Sequence, residues 1–281
     1  MKIVSYRRDG QVSYGQLEGD QVTDLPSQDP QLPPALNDAL PLLSGYSPPA
    51  GAGSTFGLSE VTVLPVIPSP EKIICIGVNY ADHAAETGQA PPPFPTVFAK
   101  FANTLIASGD NIVLPAASTM PDYEGELGVV IGRAGRYISE QDALDHVAGY
   151  TAVNDVSARD FQGHTSQWTM GKSPDTFAPM GLALATSDEV PDPQQLELRT
   201  TVSGEVLQQA STADMVFTVR QLIAYLSLTM TLLPGDVIAT GTPSGVGVAR
   251  DPQRFLRPGD TVTISIDGVT ELTNPVVGED S

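Results

Sequence analysis

Between residues 72 and 266 the chain is cut into short β-branched or apolar runs: Lys72 to Val78, Thr96 to Lys100, Leu127 to Ile131, Val147 to Val153, Gly181 to Ala185, Leu196 to Val202, Val237 to Thr240 and Thr261 to Ile266. Runs of this length bounded by turn residues read as strands. Helical patterns are few, at Ser139 to His146, Ser157 to Phe161 and Thr218 to Leu232. A doubly wound parallel sheet needs a helix at each crossover, so the pattern predicts a strand-dominated α+β fold instead. Near the N-terminus, Lys2 to Tyr6, Val12 to Leu17 and Gln21 to Leu25 are separated by Asp9-Gly10 and Gly19-Asp20, which reads as short antiparallel strands. Pro33-Pro34, Pro48-Pro49 and Gly51 to Ser54 form a stretch poor in regular structure. The chain is therefore expected to divide into a small N-terminal β domain, residues 1–65, and a main domain, residues 66–281.

Charge narrows the function classes. Thirty-three acidic against fourteen basic residues give a formal charge of −19 and a pI near 4.2. Nucleic-acid backbone and anionic membrane surfaces both call for clustered Lys and Arg, so neither is an expected partner. Cys75 is the single cysteine, which excludes an internal disulfide and a multi-thiolate zinc site and suits a reducing compartment. Charged residues follow Met1 before any apolar segment of signal-peptide length, and Leu222 to Leu233 is too short to span a bilayer. The expected location is the cytoplasm, and Leu222 to Leu233 reads as a buried helix.

The sharpest motif is Asp122-Tyr123-Glu124-Gly125-Glu126-Leu127-Gly128-Val129-Val130-Ile131-Gly132. Strand side chains alternate, so Leu127, Val129 and Ile131 cover one face while Glu124 and Glu126 stand side by side on the other. Two such carboxylates repel unless exposed, protonated or bridged by a cation; a solvated strand face is the plainer alternative. The run Val147 to Val153 ends at Asn154-Asp155, just before Ser157-Ala158-Arg159-Asp160, which has the form of a helix capping box. Asp155 and the two glutamates offer three oxygen ligands, a set that suits Mg2+ or Mn2+. Asp122 and Asp160 are alternative ligands, with turn and capping roles as their plainer readings.

His83 and Glu86 lie at i, i+3 spacing after Gly77-Val78-Asn79-Tyr80; on a helical turn the carboxylate would orient the imidazole as a general base. The Pro-rich stretch Ala90 to Pro95 reads as a stiffened loop that could carry this turn as a lid. In so acidic a chain, Arg159 and Lys172 could neutralise an anion locally and admit a carboxylate substrate. Gly241-Thr242-Pro243-Ser244-Gly245-Val246-Gly247 is neither a dinucleotide fingerprint, a P-loop nor a nucleophile elbow, but its N–H groups could form an anion nest. Trp168, Tyr80 and Phe177 read as packing residues.

Taken in order, Gly77-Val78-Asn79-Tyr80 with His83 and Glu86, Asp122 to Leu127, Asn154 to Asp160, Gly171-Lys172-Ser173-Pro174-Asp175-Thr176 and Gly241 to Gly247 resemble the fumarylacetoacetate hydrolase superfamily, from about residue 70 to the end. The resemblance implies that family's mixed β-sandwich roll, commonly a homodimer, behind a variable N-terminal domain. It implies that Glu124, Glu126 and Asp155 hold Mg2+ or Mn2+, that His83 and Glu86 form a catalytic dyad beside Lys172, and that Arg159, Gln162 and Thr242 contact substrate. One departure is Leu182, where relatives often carry Pro; it is expected to alter packing near the pocket.

A small 2-oxo acid is the implied substrate. The intact His83/Glu86 pair puts hydrolysis of a carbon–carbon bond in an acylpyruvate or fumarylacetoacetate-like substrate first. Tautomerisation or decarboxylation of oxaloacetate, or isomerisation of a hydroxydienedioate, follows from the same enolate chemistry. A metal-containing binding or scaffold protein without turnover is the alternative of another class.

Overall fold

Most of the short apolar runs become strands with the ends their turn residues set, and two of them, Thr96–Lys100 and Thr261–Ile266, match residue for residue. The computed structural model describes residues 1–49, 53–88 and 90–279. Its strands are β1 (Lys2–Arg8), β2 (Gln11–Glu18), β3 (Gln21–Asp24), β4 (Thr55–Gly57), β5 (Thr62–Val63), β6 (Ile73–Gly77), β7 (Thr96–Lys100), β8 (Leu105–Ile106), β9 (Ile112–Leu114), β10 (Pro121–Asp122), β11 (Gly125–Ile131), β12 (Val147–Asn154), β13 (Ser157–Ala158), β14 (Ala178–Pro179), β15 (Leu184–Thr186), β16 (Glu197–Val202), β17 (Glu205–Ser211), β18 (Val237–Ala239), β19 (Thr261–Ile266) and β20 (Thr270–Gly278). The helices are short: α1 (Leu25–Gln28), α2 (Leu36–Leu43), α3 (Ala81–Glu86), α4 (Arg159–Gln162), α5 (Thr169–Lys172) and α6 (Val219–Ser227). The fold is the strand-dominated α+β arrangement that the sequence pattern predicts.

One large mixed sheet runs in the order β4-β3-β2-β1-β15-β12-β11-β18-β6-β7, with β5 also on β1; a second sheet runs β17-β16-β19-β20-β9. Leu127, Val129 and Ile131 of β11 pack with Leu198, Val202, Ile264 and Leu272 of the second sheet and with Leu222, Ile223 and Leu226 of α6. The opposite face of β11 is not solvated along its length: Val130 joins Cys75, Ala148 and Val237 under Leu36, Ala39, Leu40 and Leu43 of α2. Both helices present apolar residues at i, i+3, i+4 and i+7, the stripe a helix buries on a sheet.

Several sequence expectations change. The N-terminal strands extend the large sheet, because Lys2 and Ile3 of β1 pair with Ala185 and Leu184 of β15. The stretch between Pro33 and Pro49 contains α2, and Gly51 and Ala52 of the expected boundary lie outside the described residues. The expected helix at Ser139 to His146 is a turn closed by Ser139 Oγ on Asp142, followed by a single 3-10 turn at Ala143–His146. The Ser157/Asp160 capping box does not form: Ser157 pairs with Asp122 and its Oγ donates to the Asp155 carbonyl, while Asp160 accepts from Ser118 Oγ and Thr119 N. Finally, α6 is capped by a true box between Thr218 and Gln221 but stops at Ser227, because Leu232 is drawn into a bridge with Gly135.

Candidate active site

Register brings the acids together. Gly125 of β11 pairs with Asn154 of β12, so Glu124 and Asp155 face each other just past the ladder, with Asp155 N donating to the Glu124 carbonyl at 2.9 Å. Glu126 lies one pleat back on the same side. Carboxylate oxygens of Glu124, Glu126 and Asp155 lie within 4.8 Å of one another, and all three residues are buried. Gly125 between the glutamates has no room for a side chain: a Cβ there would sit 2.1 Å from Thr200 Oγ1 on β16, where the two sheets touch.

The three acids are not equally answered. Glu124 meets Arg159 Nη1 at 2.6 Å and Lys172 Nζ at 2.7 Å. Asp155 meets Lys172 Nζ at 2.7 Å and Lys100 Nζ at 2.5 Å. Burial alone would raise the Glu124 carboxyl, but the Lys172 and Arg159 charges outweigh it and hold it far below the usual carboxylate range. Glu126 meets no cationic side chain among the described residues; its Oε2 accepts one bond, from Gly241 N at 2.8 Å. Burial, and then the charges of Asp155 and Glu124, push its carboxyl well above the usual range. An all-carboxylate donor set with one member short of positive charge fits a hard divalent cation such as Mg2+ or Mn2+.

The glycine-rich loop after β18 is an anion nest, as its sequence suggests, but its anions are the protein's own. Gly241 N holds Glu126, Gly245 N holds Glu86 Oε2 at 2.8 Å, and Gly247 N and Val248 N hold Asp122 at 2.7 and 3.0 Å. Gly245 takes φ 102°, in the left-handed region, and a Cβ there would lie 2.1 Å from the Leu207 carbonyl oxygen, so the position demands glycine. Thr242 Oγ1 donates to the Gly125 carbonyl at 3.0 Å and accepts from Gln208 Nε2 at 2.7 Å.

His83 and Glu86 lie one above the other on α3, as their spacing predicts, with His83 Nδ1 2.7 Å from Glu86 Oε1. The Pro-rich stretch beyond α3 ends with Phe94 stacked on Tyr225 of α6, ring centroids 6.2 Å apart; Gln89 before it is outside the described residues. A cavity of about 340 Å³ is lined by His83, Glu124, Glu126, Arg159, Gln162, Lys172 and Thr242, so only Glu86 and Asp155 of the nine expected site residues are not in its lining. Gln162 Oε1 accepts from Arg159 Nη1 at 3.1 Å. Among the described residues the acids close enough to share an ion are Glu124, Glu126 and Asp155 alone; Asp122 and Asp160 lie outside that group and are held by other protein donors. Trp168, read as packing, lies edge-on to Phe98 and also lines the cavity. Sequence reasoning missed Lys100. Its only signal was a lysine closing an otherwise apolar strand, where a solvated end would be ordinary.

Comparison with known proteins decides the family. The profile for the fumarylacetoacetate (FAA) hydrolase C-terminal domain matches residues 72–277. A mitochondrial oxaloacetate tautomerase of Xenopus laevis is 44% identical over 269 residues, covering 92% of this chain and 84% of the relative. The chain belongs to the fumarylacetoacetate hydrolase family. Fumarylacetoacetate hydrolase domain-containing protein 2 of Pongo abelii, the member that Gly247-Val248, Phe255-Leu256 and Gly259-Asp260 suggest, is 46% identical over 221 residues, covering 78% of this chain and 70% of the relative. The solved 2-hydroxyhepta-2,4-diene-1,7-dioate isomerase of Mycobacterium marinum superposes with a TM-score of 0.82 at 35% identity, covering all of both chains.

Within that family fold, the departure at Leu182 falls elsewhere than expected. Leu182 packs against Val4, Tyr6, Val22 and Phe56 of the N-terminal strands rather than near the pocket. No helix among the described residues is long and apolar enough to cross a membrane. The Xenopus relative is named as mitochondrial, which the cytoplasmic expectation does not share.

Proposed function

We propose that the protein is a divalent-metal-dependent enzyme acting on small 2-oxo acids, with keto–enol tautomerisation of oxaloacetate as its main reaction. One observation carries the reading: a single cavity joins a buried acid triad, in which Glu126 lacks a cationic partner among the described residues, to an imidazole held by its own carboxylate. The family relatives named as tautomerase and isomerase favour a proton shift over the carbon–carbon hydrolysis that the dyad alone had put first.

Held by Glu124, Glu126 and Asp155, Mg2+ or Mn2+ would supply Lewis-acid polarisation of the 2-oxo group. The chain's own groups do the rest. With Nδ1–H donated to Glu86, His83 presents Nε2 as a proton acceptor; it takes a proton from the carbon beside the carbonyl and returns one to oxygen. Glu86, fixed in turn by Gly245 N, keeps the ring in that tautomer. Lys172 Nζ places positive charge where the enolate oxygen develops. Arg159, Gln162 and Thr242 orient the substrate's remaining oxygens. A tautomerase must keep water from C3, and a hydrolase must admit it.

The test follows the decay of the oxaloacetate enol by its ultraviolet absorbance, with Mg2+ and after chelation. Metal-dependent acceleration supports the reading. Cleavage of acylpyruvates without acceleration of enol decay would replace it by the hydrolytic one, which the same His83/Glu86 geometry favours if water enters. Metal binding without turnover of oxaloacetate, acylpyruvates or hydroxydienedioates would leave a scaffold. A homodimer is the proposed assembly, checked by light scattering on the eluting protein.

A further inference from the structure

Asp122 is a fully buried carboxylate that the reaction above leaves unused. Its Oδ1 accepts the N–H groups of Tyr123 at 2.9 Å and Gly247 at 2.7 Å. Its Oδ2 accepts Val248 N–H at 3.0 Å and Arg159 Nε at 2.8 Å. A turn residue would be satisfied by its own neighbours. Three of these four bonds instead reach segments 37 and about 125 residues away in sequence, and both Arg159 and Val248 line the cavity.

On the arginine side, a guanidinium is a rigid planar fork, so fixing Nε and one terminal nitrogen fixes the direction of the other. Asp122 holds Nε, and Glu124 and Gln162 hold Nη1. Arg159 Nη2 is buried without a hydrogen-bond partner among the described residues. In a chain of net charge −19, an unsatisfied guanidinium donor on a residue that lines the cavity calls for an anion the described residues do not supply. On the loop side, Gly247 is seated tightly: a Cβ there would lie 2.1 Å from the Arg254 carbonyl oxygen and 2.6 Å from Asp122 Oδ1. Two residues earlier, Gly245 N–H grips Glu86, which grips His83.

We propose that Asp122 is a positioning residue that sets the aim of Arg159 Nη2 on the substrate's carboxylate and, through Gly247 and Val248, keeps the loop that holds Glu86 on His83. The anion's identity rests on the 2-oxo acid reading; the two mechanical links do not. Replacing carboxylate by amide separates them from simple packing. Asp122→Asn keeps the volume but swaps one acceptor oxygen for a donor, which meets an N–H whichever way the amide turns.

Trp168 is the only tryptophan and borders the cavity, so its emission reports binding of pyruvate to the Mg2+-loaded protein. Asp122→Asn is expected to weaken pyruvate at least about 10-fold, the scale of one charge-assisted hydrogen bond. Amide exchange at Gly245, which Asp122 does not itself touch, should quicken by a similar factor. Arg159→Lys, which cannot fork, should weaken pyruvate too, and adding Asp122→Asn to it should cost little more. Unchanged pyruvate affinity with only a lower melting temperature would overturn the proposal, as would losses from the two substitutions that multiply. Should the wild-type protein bind no pyruvate, the 2-oxo acid reading fails; the Gly245 exchange rate then decides the loop link on its own, faster exchange supporting it and unaltered exchange sinking it. Binding and exchange as expected, with no oxaloacetate turnover, would sink the tautomerase and leave the positioning role standing.

Discussion

Asp24, half-buried in the N-terminal strands, and Glu126, buried at the start of β11, are pushed in opposite directions by their surroundings. Asp24 accepts from Ser13 Oγ at 2.6 Å, Ser27 N at 2.7 Å and the Tyr6 hydroxyl. Burial works against its charge, but those three donors prevail and hold it below the usual range. Glu126 has one donor and two neighbouring carboxylates, and is pushed well above it. A carboxylate answered by neutral donors closes a turn and needs nothing more. One answered by other carboxylates leaves a demand for positive charge that the fold does not meet, and that demand marks the cup as a place for an ion.

Breaking the cup should have the largest effect. Glu126→Ala should remove metal-dependent turnover, a loss of at least about 10³-fold, the scale of removing a preorganised electrostatic partner. It should also abolish the rise in melting temperature on adding Mg2+ to chelated protein, which for the wild type corresponds to about 2.7 kcal/mol at a hundred times Kd. His83→Ala should lower kcat by about 10²–10⁴-fold while leaving that Mg2+ shift in place, since the ring serves the proton and not the ion. If His83→Ala loses the Mg2+ shift as well, the division of labour inside the cup is wrong.

Breaking the N-terminal counterpart should reverse the pattern. Asp24→Ala leaves three donors without an acceptor and should destabilise the fold by about 2 kcal/mol in denaturant melts, with turnover unchanged at temperatures where it is folded. The smallest effect sharpens the contrast. A carboxyl whose folded pKa is lowered contributes stability above its unfolded value, near about 4, and loses it as pH falls through the folded value. Asp24→Asn should therefore cost about 1 kcal/mol at pH 7, and the gap to wild type should close on acidification below pH ~4. A gap that persists at pH ~2 would show that shape rather than charge matters there.

What could be read from sequence follows distance along the chain. The ends of β7 and β19 were legible because alternation and turn residues are local signals. The glutamate pair was legible as a pair, and Asp155 as its partner only because a strand end is a common place for functional groups. Pairing of β1 with β15 was not legible, since it joins segments more than 180 residues apart and nothing in either run names the other. Lys100 was illegible for the same reason: only the β6–β7 pairing turns its ammonium inward onto Asp155. At Ser157 a local rule gave the wrong answer, because ladder pairing with Asp122 overrode the capping pattern. The nest was legible as backbone geometry, but its occupants, Glu86 from α3 and Asp122 and Glu126 from the β10–β11 segment, come from two other parts of the chain.

Because peptide N–H groups rather than side chains grip those acids, the loop from Gly241 to Val248 has a peculiar genetics. Proline apart, point substitution can neither remove nor improve a main-chain donor, so exchanges at Pro243 or Ser244 that leave the turn intact should drift freely under selection. The glycines, which bear no functional group at all, would register in a saturation scan as severely as the acids they serve.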